Sequence, residues 1–159
     1  MSLAAALTEI RNDLLADPAL AAIDQPAQPR DANYDTVTLL LYPVAGAHRL
    51  GTADRGNGYA ARLAVHTIRC DLVTPRKHLP DDLQRLQSYA DAIPNALFAG
   101  FVRDRFNDTV LGLGDLSFSH GPTFGSSTLR VALTDGIWGE GTIGYRYEFE
   151  ITIEEDIVL

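Results

Sequence analysis

The sequence predicts an α+β fold: a mainly antiparallel sheet of about five strands, two main helices packed on one face of it, and a long loop between the first two strands. Three observations predict this. Between Gly141 and Ile153 the odd positions Ile143, Tyr145, Tyr147, Phe149, Ile151 and Ile153 are apolar or aromatic, while Thr142, Gly144, Arg146, Glu148, Glu150 and Thr152 are polar or glycine. A period of two places these sets on opposite faces of a strand, one wanting a core and the other water or a partner. Earlier, Ala64, His66, Ile68, Cys70 and Leu72 alternate in the same way with Val65, Thr67, Arg69, Asp71 and Val73. Helical spacing occurs in two stretches, and no βαβ alternation fills the chain.

Taken in order, Ser2 is a candidate cap for a first helix in which Leu3, Leu7, Ile10 and Leu14 form one stripe. Asp17-Pro18 ends it, because the residue before a proline is pushed out of the helical region. From there to Asp35 the chain has three prolines, Pro18, Pro26 and Pro29, and reads as a short second turn of helix followed by an extended connector. Val37–Tyr42, closed by Pro43, reads as the first strand. Val44–Ala60, with four glycines among small and charged residues, reads as a mobile excursion. The second strand stops at Thr74-Pro75. A helix starts near Pro80-Asp81-Asp82, where proline and carboxylates suit the first turn. Its stripe is Leu83, Leu86, Ala90, Ile93 and Leu97, and Pro94 inside it predicts a kink or a stop before a further segment to about Arg105. Gly114–Ser119 and Thr128–Thr134 are the next strands, linked by Gly121–Ser127, and Asp135–Gly141 turns the chain into the last one.

The 159 residues make one domain, 1–159, able to bury roughly two-thirds of its unfolded surface. No run of about 18 apolar residues suggests a membrane span, and Glu9, Arg11 and Asp13 interrupt the stretch a signal peptide would need. The single cysteine, Cys70, fits a reducing compartment. Thirteen Lys and Arg against 21 Asp and Glu give a net charge of −8, which disfavours dedicated binding of nucleic acid. The charge is uneven. From Glu140 onward six acids accompany the one base Arg146, whereas Val44–Arg62 holds Arg49, Arg55 and Arg62 against Asp54.

No motif assigns a reaction. Gly139-Glu-Gly-Thr-Ile-Gly144 spells the dinucleotide fingerprint, but that fingerprint opens a helix, and these glycines lead into the clearest strand. His48, His66, His78 and His120 lie outside metal-ligand spacing. His66, mid-strand on the apolar side, reads as a core or subunit-contact histidine. Ser126 and Ser127 stand outside a nucleophile elbow. Asp81-Asp82 reads as a helix start and Glu154-Glu155-Asp156 as a solvated tail. Asn107-Asp-Thr109 is a glycosylation sequon by its letters alone. The expectation is a protein without catalytic residues, metal or cofactor. Trp138, in a glycine-rich turn, either folds back onto the core or anchors a subunit interface.

The N-terminal helix, the strand Val65–Val73 running into Pro75-Arg-Lys, the helix beginning Leu79-Pro-Asp-Asp-Leu83, and Trp138-Gly leading to Thr142–Ile151 span most of the chain. In that order the chain resembles the tail terminator (tail completion) proteins of long-tailed bacteriophages and related tail-like particles. The resemblance implies a structural virion protein, assembled in the host cytoplasm. It would form a hexameric ring on the head-proximal end of the tail, capping the major tail tube protein and stopping its polymerisation. The ring would dock the head-completion or connector protein and let DNA pass through its lumen without specific binding. The family supplies no residue role to carry over. On physical grounds the candidate interface residues are Arg49, Arg55 and Arg62 on a basic loop, Glu148, Glu150 and Glu154 on an acidic strand face, and Trp138. An alternative puts the acidic face in the lumen. Alternative functions are a neck adaptor or stopper and a small-molecule-binding α+β domain.

Overall fold

The computed structural model of the chain describes residues 2–26, 35–50, 59–102, 116–117, 128–132 and 142–158. The helices are α1 (Leu3–Ala16), α2 (Leu79–Ala90) and α3 (Ala92–Val102); the strands are β1 (Thr38–Leu50), β2 (Tyr59–Pro75), β3 (Leu116–Ser117), β4 (Thr128–Ala132) and β5 (Thr142–Val158). β2 pairs antiparallel with β1 on one side and with β5 on the other, and the short β3 and β4 both pair antiparallel with β5. The protein is therefore α+β, built on an antiparallel sheet whose three long strands run side by side.

Ser2 caps α1, its Oγ accepting the Ala5 amide at 3.2 Å. Asp17 ends the helix with extended backbone before Pro18, and its Oδ1 accepts the Ala19 amide. The following turn buries Leu20 and Ile23. Asp24 then meets β1 through a parallel bridge to Thr38, its carbonyl accepting the Leu39 amide at 2.8 Å. The expected connector after this turn lies largely outside the described residues.

The expected excursion from Val44 to Ala60 is strand at both its ends. β1 runs through Pro43 to Leu50, and β2 is already strand at Tyr59; positions 51–58 lie outside the described residues. Proline does not end β1 because, among the described residues and past the Asp24 bridge at its start, this strand pairs with β2 alone, so its other edge makes no ladder bonds there. The register shifts between Pro43 and Ala45, a bulge that takes up Val44.

α2 starts where expected. His78, at its N-cap, makes no side-chain cap bond; the buried Asp82 carboxylate reaches back to accept the amides of Lys77 (2.7 Å) and His78 (2.8 Å). The helical stretch then breaks at Asp91, ahead of Pro94, and α3 resumes at Ala92. Pro94 thereby falls in the first turn of α3, where a missing N–H removes no helical bond.

One buried cluster joins Leu39 and Leu41 of β1, Ile68, Cys70 and Leu72 of β2, and Ile143, Tyr147, Phe149, Ile151 and Ile153 of β5 to Ala6, Ile10 and Leu14 of α1, Leu86 of α2, and Ile93 and Leu97 of α3. The strand members alternate as the period of two requires, and the face they define is the core face. Tyr147 reaches across it to donate its hydroxyl hydrogen to the Ala90 carbonyl at 2.8 Å, satisfying an orphan acceptor in the last turn of α2. α1 and α3 meet at Gly100, where an added Cβ would overlap the carboxylate of the buried Asp13. Gly100→Ala is therefore expected to lower stability by about 1–3 kcal/mol, read as a reduced urea midpoint at unchanged slope. An unmoved midpoint would show that the two helices do not meet there.

Candidate functional site

The face of the sheet opposite the core carries a polar network across all three long strands. The register sets Leu40, Asp71 and Arg146 in one cross-strand row and Tyr42, Arg69 and Glu148 in the next. Arg146 grips Asp71 with two donors, Nε to Oδ1 at 2.9 Å and Nη2 to Oδ2 at 3.0 Å. Tyr42 donates its hydroxyl hydrogen to Asp71 Oδ2 at 2.5 Å and accepts from Arg146 Nη2 at 3.2 Å. The Asp71 side chain is 0% exposed and that of Arg146 14%. Burial, then the hydrogen bond to Asp71, pushes the Tyr42 phenol well above its ordinary range, and the hydrogen bond to Asp71 raises Arg146 further. These two donors stay protonated near neutrality, so the network has the character of a structural clasp. Beside it Arg69 Nε meets Glu148 Oε2 at 2.8 Å, each side chain about one-third exposed.

The two pairs should behave differently when cut. Arg146→Leu leaves a buried carboxylate without its counter-charge and is expected to cost about 3–5 kcal/mol. Arg69→Leu, in the half-exposed pair, is expected to cost less than about 1 kcal/mol. Urea unfolding of the two variants checks this, and equal losses would contradict the clasp.

The core face changes character along its length. Beyond the bulge the positions of β1 that share this face are Gly46 and His48, opposite His66 and Ala64 of β2. The His48 and His66 rings stand edge to face, with centroids 5.4 Å apart and planes at 79°. Gly46 makes room for them, since a Cβ there would lie 2.7 Å from His66 Nδ1. A recess of about 320 Å³ opens at this point, walled by Ser2 and Leu3 of α1, His48, Arg62, Ala64, His66 and Ile153. His66 is 8% exposed. Burial first, then the positive potential of His48 and Arg62, lowers its pKa below the ordinary 6.5, so the ring is neutral at pH 7.

The thiol of Cys70, fully buried on the core face, is pushed far up by burial and secondarily by Asp71, and is correspondingly unreactive. Among the described residues no group of three or more His, Cys, Asp or Glu side chains is gathered to hold a metal ion, and no helix is long and apolar enough to cross a membrane. The last glycine of the apparent dinucleotide fingerprint, Gly144, sits inside β5, so the helix such a fingerprint requires is replaced by a strand.

The structure divides the residues expected at an interface. Arg49 stands on the face opposite the core, in a row with Leu63 and the Glu154 position, whereas Arg62 stands on the core face beside the recess. Glu148 is engaged by Arg69, and Glu150 shares a row with Ala45 and Thr67. Arg55 and Trp138 lie outside the described residues. His66 is on the core face and buried, as the alternation implies. Tyr42, Asp71, Arg69 and His48 were not singled out by sequence. Asp71 and Arg69 sat on the polar side of an alternating strand with no mark of their partners, and His48 sat in an apparent loop. No protein-family model matches the chain, and no curated protein matches it either.

Because the unfolded chain binds a proton at His66 more readily than the native one, stability is fully present above about pH 6.5 and falls as pH drops through the lowered native pKa. Thermal melts of the protein and of His66→Gln at about pH 7.5 and 5.5 test this. The variant should lose less on acidification; equal losses would remove His66 as the cause.

Proposed function

We propose that the chain is a structural assembly protein of the tail-terminator kind. It forms a homohexameric ring that caps the head-proximal end of a phage tail tube, stops tube polymerisation and presents a docking surface to the head connector. The supporting observation is the outer half of β1. From Pro43 to Arg49 every residue is exposed, and among the described residues this half of the 13-residue strand pairs with β2 alone. A long edge of this sort is a template for another chain, and a closed ring needs one surface of each copy to meet a different surface of the next. In this reading Arg49, Arg55, Arg62 and Trp138 meet Glu148, Glu150 and Glu154 of a neighbouring copy or partner. The net charge of −8 keeps DNA from adhering in the lumen. The finer architecture that goes with it is a five-stranded sheet with both main helices on one face, and the protein carries no cofactor and performs no catalysis.

Native mass measurement and negative-stain imaging, with and without tail tubes, test the proposal. A ring of six copies that binds tube ends is expected, and Arg49→Glu combined with Arg55→Glu should weaken ring formation or tube binding. A protein that stays monomeric with tubes present overturns it. One that binds DNA-filled heads and ignores tubes is a neck adaptor.

A further inference from the structure

We infer that the free protein is a twofold dimer in which the open edges of two β1 strands pair antiparallel across Ala47, each copy covering the edge the other would use in a ring. That role rests on the ring reading; the dimer itself does not. The exposed edge has a definite hydrogen-bonding pattern. The Leu39 amide bonds to Asp24 on the side away from β2, so Leu41 and Pro43 aim their backbone groups the same way. Their opposites on β2, Leu72, Cys70 and Ile68, turn away from β1 in the same sense, and the alternate residues of β2 bond it. Past the bulge those alternate residues, Thr67, Val65 and Leu63, stand opposite Ala45, Ala47 and Arg49. The backbone N–H and C=O of Gly46 and His48, both exposed, therefore point out from the sheet. A row of such groups recruits a strand.

The segment fits a second copy of itself. Centred on Ala47, the antiparallel register sets Gly46 against the second copy's His48, Ala45 against its Arg49, and Ala47 against its Ala47. Outward-pointing residues then meet outward-pointing residues, so Gly46 and His48 exchange both backbone bonds across the axis. Each large side chain lies opposite a small one, as His66 already lies opposite Gly46 on the inner side of the strand. Arg49, the one residue from Pro43 to Arg49 with a permanent charge, attaches about 14 Å from its twin, beyond a Debye length of roughly 8–10 Å at ordinary salt. Like charges therefore do not oppose the pairing. Registers two residues away are poorer: one sets His48 against itself, and the other draws the bulged Val44 into the ladder. The twofold thus selects a single alignment, centred where the side chain is only a methyl group.

Sedimentation of the full-length protein without tail tubes, from about 5 to 500 μM, should show monomer passing to dimer, as befits so small an interface. Ala47→Cys should form a disulfide-linked dimer on mild oxidation, because the facing Cα atoms, about 4.5 Å apart in a non-hydrogen-bonded pair, lie within disulfide range. Ala45→Cys, also at an exposed position but about 14 Å from its twin, should not. The native Cys70 is buried and takes no part. Ala47→Lys sets two ammonium groups face to face and should weaken the dimer about tenfold or more at an unchanged melting temperature; an equal mixture with Ala47→Glu should restore it. A monomer at every concentration, equal cross-linking of the two cysteine variants, or a lysine variant that dimerises at full strength overturns the inference. Tail tubes keep the two proposals apart. Rings that form on tubes from a protein monomeric beforehand overturn the dimer alone, whereas a dimer that gives no ring on tubes overturns the ring alone.

Discussion

The arrangement of the sheet depends on the buried pairing of Asp71 with Arg146. A carboxylate removed from water is tolerated only where a counter-charge and hydrogen bonds replace its hydration. Here one guanidinium supplies two bonds from β5, and Tyr42 supplies a third from β1. The carboxylate itself belongs to β2, the central strand of the three. A slip of β2 by one residue would turn Asp71 to the core face and bring the apolar Cys70 out among the polar side chains. The same three residues thus select one register for both neighbours of β2. The apolar alternation agrees with that register, so two independent kinds of interaction specify a single pairing.

With the register set, the long strands serve two ends differently. Toward Thr38, Val73 and Gly144 both faces are buried: the core cluster occupies one, while Thr38, Leu40 and Val73 are buried on the other. Toward Leu50 the outer strand is exposed, and the core face narrows to a recess closed at one side by the start of α1. The helical layer therefore does more than cover apolar side chains. The capped end of α1 arrives at the one part of the core face where the side chains are imidazole and guanidinium.

What could be read in the sequence was whatever depends on neighbours a few residues apart. The alternation in β5 and β2, the Ser2 cap, the stop at Asp17-Pro18 and the proline-acid start of α2 are local signals, and each is found where its chemistry placed it. Pro43 and Gly46 misled because their usual meaning assumes a fully paired strand; where a strand is bonded at one edge, proline removes nothing. Pro94 signalled the interruption that divides α2 from α3, with the break at Asp91 and the proline itself in the first turn of the new helix. The clasp was not legible at all. Asp71 and Arg146 are 75 residues apart, and only the pairing of β2 with β5 brings them together. Arg49 and Arg62, close in sequence and alike in charge, read as one patch until strand parity assigned them to opposite faces.

The bulge at Val44 is what connects these two halves of the structure. Without it, the odd positions of β1 that begin with Leu39 and Leu41 would continue on the core face, bringing Ala45, Ala47 and Arg49 there. The extra residue reverses the parity, so that Gly46 and His48 face inward opposite His66 and Ala64, and Arg49 turns to the polar face beside Leu63. A residue larger than glycine at position 46 would press on the His66 ring, and a guanidinium at the place of His48, opposite Ala64, would bring a second arginine to the recess that Arg62 already lines. One inserted residue thus exchanges a second guanidinium for an imidazole. The recess is lined by a buried ring that stays neutral at pH 7. The bulge, and not the composition of the segment, determines which of its side chains line the recess.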